Sequence, residues 1–199
     1  MNKARLEAFS DGVIAIILTI MVLELKVPHA GDAESFRHLG NQLASYILSF
    51  VYVAIYWVNH HHTFHAIQKV DGKVLWMNIL LLFFLSLVPF CTAWIGESHF
   101  EALPVQLYGV ILLCAALSYY FLSRCLVAIH GPESVIAQAL GADRKSLTSQ
   151  ALYICGIVAA FWQPVLGYCF YVATALIWLV PDPRIEKRLM AVEGKKGKR

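Results

Sequence analysis

From Leu6 to Pro181 the sequence is a succession of apolar stretches, each close to the ~20 residues that a helix needs to cross a bilayer, parted by short polar segments. No length remains between them for a separate soluble domain of useful size. The balance of residue types agrees, with 59% of the 199 residues hydrophobic and 15% charged, against about 25% charged in ordinary soluble domains. The expected fold class is all-α and integral to a membrane, with six transmembrane helices at 6–25, 43–64, 75–95, 104–126, 147–162 and 164–181. The last two share one apolar run. It is divided at Gln163-Pro164 because Pro lacks a backbone donor and pushes the preceding residue out of helical geometry.

Charge gives the orientation. Six spans put the N-terminus, the second and fourth loops and the tail on one side, and that side carries 14 of the 16 Lys and Arg residues. Only Lys26 and Arg37 fall on the other, so both termini are expected in the cytoplasm. Five or seven spans would strand the basic tail outside. The expected division is a six-helix membrane domain, 1–183, and a basic cytoplasmic tail, 184–199, solvated near anionic headgroups. The first 25 residues read as retained, since Asp11 interrupts the apolar region of any signal peptide. In the outer loops Asp32, Glu34, Glu97 and Glu101 outnumber Lys26 and Arg37. That excess fits a cation-concentrating vestibule, and equally the ordinary solvation of loops.

The first span, RLEAFSDGVIAIILTIMVLELKVP, contains the informative exceptions. At helical spacing Ile16, Thr19, Ile20 and Leu23 form one stripe. Nearly every residue is apolar, so periodicity alone does not say which face meets lipid. An Asp in the hydrocarbon region costs about 2.5–3.5 kcal/mol on insertion scales and usually has a partner. Asp11 is therefore expected to be satisfied internally. Arg5 lies too far along the same helix for a standard i+4 pair. Trp57, Asn59 and His60 of the second span and Trp76 and Asn78 of the third share its depth and carry donors. Either these groups form a polar knot that fixes the first helix, or they are an interfacial belt.

Several chemistries lack their signatures. His60, His61, His62 and His65 invite a metal reading, with His61 and His65 on one helical face, but the other four histidines are scattered among loops. No metal site is expected. The five Cys residues show no C-x-x-C spacing and read as small hydrophobes. With no phosphate-binding Gly loop, nucleophile elbow or H-E-x-x-H, neither an enzyme nor a cofactor is expected. The stretch LGYC at 166–169 lacks the remainder of a carbonyl-lined potassium filter.

Arg5-x-x-x-Phe9-Ser10-Asp11 resembles the signature of the transmembrane protein 175 family of potassium channels. W-x-x-H at Trp57 to His60, followed by Phe64, and N-x-L-L-L-F-F-L-S-L-V-P-F from Asn78 to Phe90 are similar to that family's second and third spans. The resemblance covers roughly residues 5 to 90. It implies a homotetramer of six-span subunits in a prokaryotic cell membrane, with the first helix of each subunit lining a central pore and no re-entrant filter loop. It also implies weak to moderate selectivity for potassium. By the register of the Phe-Ser-Asp motif it implies a first constriction at Ile16, a hydroxyl layer at Thr19 and narrow rings at Ile20 and Leu23. Arg5, Phe9, Ser10, Asp11, Trp57, His60 and Asn78 then form the structural motif. The partners implied are potassium ions, lipid and further copies of the chain, with no nucleic acid. The alternative is a proton-coupled secondary transporter using Asp11 and the histidine cluster as a relay, against which stands the lack of an inverted repeat.

Overall fold

The computed structural model describes residues 2–27, 33–140 and 144–179, and among these the chain is helical throughout, joined by short turns. The tail from 184 onward and the outer-loop residue Asp32 lie outside the described residues. The helices are α1 (Lys3–Leu23), α2 (Ala33–His65), α3 (Gly72–Ser86), α4 (Val88–Glu97), α5 (Ala102–His130), α6 (Val135–Leu140), α7 (Arg144–Ala159) and α8 (Pro164–Leu179).

Among the described residues four segments are long and apolar enough to cross a membrane: α1, α2, α3 with α4 as one unit, and α5. α7 and α8 are 16 residues each. Their break falls between Ala159 and Pro164, where proline cannot continue a hydrogen-bonded ladder. Gly156 and Gly167 let this hairpin close. A Cβ on Gly167 would stand 2.6 Å from the Gly156 carbonyl oxygen and 2.7 Å from Ala160 Cβ, so small residues set the approach of the two helices.

The helices extend past or interrupt the expected spans at three places. The second helix begins ten residues before the expected span and includes the polar turn around Arg37 and His38. The third span is interrupted at Leu87. Pro89 has no N–H to give to the carbonyl four residues back, and the chain restarts as α4 with proline in its first turn. The fourth helix runs past 126 to His130, where Gly131 takes a positive φ of 84° and ends it.

Packing orders these pieces around α5, which meets α3, α4, α7 and α8, while α2 lies against α4 and α8. Hydroxyls hold the centre of this assembly. Tyr52 donates to the Tyr171 carbonyl at 2.6 Å, Tyr171 donates to the Val105 carbonyl at 3.3 Å, and Ser49 bonds both Tyr108 and Thr92. Each hydroxyl removed from water in this way must find an acceptor or cost about 1–3 kcal/mol. α1 stands to one side and packs on α2, α3 and α4.

Candidate functional site: the first helix and its polar anchor

α1 starts cleanly because Asn2 caps it, accepting from Ala4 N at 3.1 Å. Its inner face is Leu6, Ser10, Ile14, Ile17 and Met21, all buried at spacings of three and four. Two of the polar side chains expected to anchor it are on that face or beside it.

Ser10 is fully buried. Its hydroxyl donates to the Leu6 carbonyl at 2.9 Å and accepts from Asn78 Nδ2 at 2.9 Å. Asn78 Oδ1 in turn meets His60 Nε2 at 2.8 Å. With the Asn78 amide nitrogen given to Ser10, its oxygen has only acceptor capacity, so His60 carries its proton on Nε2. The His60 ring stacks on Phe64 at 4.2 Å between centroids, and its Nδ1 is buried with no bonded partner among the described residues. Asp11 is held separately: Trp57 Nε1 donates to its Oδ1 at 3.0 Å. Three helices are thus tied at one level by side chains from α1, α2 and α3.

Not every expected member joins. Asn59 turns back to the Ile55 carbonyl at 2.8 Å, and Trp76 is exposed. Arg5 and Phe9 are exposed too, and neither enters the network. The reason is helical phase. Arg5 and Phe9 fall outside the buried strip of α1 that holds Ser10, as do the stripe residues above them.

Along that outer face Ile16 is 59% exposed, Ile20 41% and Leu23 80%, and Thr19 is exposed between them. The Thr19 hydroxyl donates to the Ile16 carbonyl at 2.8 Å. Spending its one proton on the backbone leaves the oxygen lone pairs as its outward function. The other end of α1 is fastened by an ion pair that the sequence reading missed, Lys26 with Glu97, the last residue of α4. The hydrogen bond and charge of Glu97 raise the pKa of the Lys26 ammonium above its ordinary value. Its only signal in the sequence is that Lys26 is one of two basic residues among acidic outer loops.

The histidine cluster stays dispersed. His61 and His65 stack at 6.3 Å between centroids, and His61 Nδ1 lies 3.8 Å from Glu7. Among the described residues no group of three His, Cys, Asp or Glu side chains converges on a metal position.

The family model described as endosomal/lysosomal potassium channel TMEM175 matches residues 5–89. A potassium channel of Chryseobacterium sp. strain P1-3 is 48% identical over 189 residues, covering 95% of this chain and 98% of that one. A potassium channel of Chamaesiphon minutus is 33% identical over 192 residues, covering 86% of this chain and 92% of that one. Among solved structures, the crystal structure of a lysosomal potassium-selective channel TMEM175 homolog from Chamaesiphon minutus superposes with a TM-score of 0.77 at 27% identity. It covers 89% of this chain and 96% of that one.

Proposed function

We propose, from the premise that the chain belongs to the TMEM175 family, that it forms a potassium-permeable cation channel whose pore is lined by α1. Four copies of the six-span subunit surround one axis, both termini are cytoplasmic, and no re-entrant loop serves as a filter. The observation that carries this reading is the split character of α1. One face is buried and pinned through Ser10 to Asn78 and beside it through Asp11 to Trp57, while the outer face leaves Ile16, Thr19, Ile20 and Leu23 exposed among the described residues. A helix held that firmly from behind is suited to present a fixed surface to symmetry mates.

The chemistry of that surface fits a gated cation pathway. Rings of Ile16, Ile20 and Leu23 offer an ion no substitute for its hydration shell, so a narrow throat blocks conduction by dewetting. Thr19, with its proton turned inward to Ile16 O, gives a ring of oxygen lone pairs to a partly dehydrated cation. Weak to moderate preference for potassium over sodium follows from so sparse a ligand set. The channel needs no resident cofactor, and the basic tail lies on the cytoplasmic surface.

The proton-relay alternative gains no specific support. Asp11 is bonded to Trp57 and His60 to Asn78, so acid and imidazole belong to separate bonds.

Liposome reconstitution tests the proposal. Passive potassium flux is expected to exceed sodium flux, and Ile16→Asn or Leu23→Ala is expected to increase leak and lower the ratio. Saturable solute uptake without passive potassium flux would contradict it.

A further inference from the structure

We infer that His130 is a proton-sensitive latch, which holds the loop between α2 and α3 to the end of α5 while its ring is neutral and releases that loop when the ring is protonated. The bonding pattern carries the inference. His130 Nδ1 lies 2.8 Å from the Leu126 carbonyl oxygen, which can only accept, so Nδ1 bears a proton. On the other side of the ring, Nε2 lies 3.1 Å from Gln68 N and 3.2 Å from Lys69 N. Backbone N–H groups can only donate, so Nε2 must offer a lone pair to both. This arrangement exists for one tautomer of the neutral ring. A protonated imidazole has donors at both nitrogens, and its Nε2–H would face two N–H groups.

The place of the latch gives it reach. Gly131 ends α5 directly after His130. The loop it holds also accepts from α1, since Lys3 Nζ donates to the Ile67 carbonyl at 3.0 Å. Ile67 itself is buried in the core, so release frees the Gln68–Lys69 stretch directly beyond the residue that holds Lys3. The charged side chains on the segments that meet here are Lys69 and Asp71 of the loop, Lys73 of α3, Lys3 of α1 and Glu133 beyond α5, and the titratable His65 ends α2 directly before the loop. Asp71 caps α3 through Val74 N at 2.9 Å, Lys3 is engaged at Ile67, and among the described residues none of the five forms an ion pair with the His130 ring. Acidification is what adds the second ring proton to an imidazole, and the two amides then lose the lone pair that holds them. The chemistry of the ring does not depend on what the chain conducts; only its assignment to the cytoplasmic side rests on the proposed topology.

Hydrogen–deuterium exchange on the full chain tests this through the peptides that contain the Gln68 and Lys69 amides, at about pH 7.5 and about pH 5.5, with rates corrected for intrinsic exchange. In wild type the corrected rate is expected to rise about tenfold or more on acidification as two hydrogen bonds are lost. In His130→Gln, whose side-chain oxygen accepts but does not titrate, it is expected to stay level. Unchanged protection in wild type, or the same rise in the variant, would overturn the inference. A measurement without any variant is the nitrogen-15 spectrum of His130 at neutral pH: the Nδ1–H tautomer is expected, and the Nε2–H tautomer would overturn the latch.

Discussion

Trp57 Nε1 donates to the Asp11 carboxylate at 3.0 Å across 46 residues of sequence, so the acid of the first helix is held by a ring from the second. Trp57→Phe keeps the aromatic body, which stacks on His61, and removes only the donor. Because the pair is exposed in the subunit, the cost is expected near that of an ordinary hydrogen bond, about 1 kcal/mol. In a thermal melt of detergent-solubilised protein that lowers Tm by about 2–4 °C.

Asn78 serves two buried partners, and its loss is expected to cost more. Asn78→Leu removes the bond that the Ser10 oxygen accepts, while its bond to the Leu6 carbonyl stays, and leaves the His60 Nε2–H without its acceptor in a buried site, a penalty of about 2–3 kcal/mol. Ser10→Ala alone is expected to cost about 1 kcal/mol. The double variant should fall short of the sum, because the two changes share one bond. Denaturation of the four proteins in the same detergent measures that coupling.

Much of this was legible in advance, and the limits have physical causes. The break at Pro164 follows from a missing donor, and it appears between α7 and α8. Pro89 was equally visible, yet the third span was read as continuous, because a proline inside an apolar run is compatible with either a kink or a restart until neighbouring helices decide. Asp11, Trp57, His60 and Asn78 were placed at one depth by position in their spans. Depth did not select Asn78 over Asn59, since that choice depends on the rotation of each helix about its axis, and rotation is set by packing. The separation of Arg5 and Phe9 from Ser10 follows from spacing along one helix, and only the choice of which face turns inward waits on packing. The latch at His130 left no trace, because its partners are backbone amides of a loop.

Gly109 is a packing requirement. A Cβ there would overlap the Tyr171 hydroxyl and crowd Ile157, displacing the ring whose hydroxyl reaches the Val105 carbonyl. Gly109→Ala is expected to destabilise by about 1–3 kcal/mol through overpacking. Tyr171→Phe in the same chain removes the overlapping oxygen and should return part of that loss, as read by Tm of the two proteins.

Thr19→Val separates the ion from the fold. The side chain keeps its shape and stands exposed on α1, so stability is expected to change by less than about 0.5 kcal/mol. If the hydroxyl oxygens coordinate the permeant ion, the potassium-to-sodium flux ratio in liposomes falls while expression and oligomeric mass are unchanged.

The central claim is that the outer face of α1 borders the ion pathway. Thiol accessibility tests it most directly: single Cys residues are introduced by Ile16→Cys, Leu23→Cys, Ile17→Cys and Met21→Cys into a chain whose five natural cysteines have been replaced, and potassium flux is followed while a water-soluble, positively charged thiol reagent is added. Flux is expected to be blocked for Ile16→Cys and Leu23→Cys and spared for Ile17→Cys and Met21→Cys, which lie on the buried face. Block confined to the Ile17 and Met21 positions, or flux indifferent to the reagent at Ile16 and Leu23, would contradict the account.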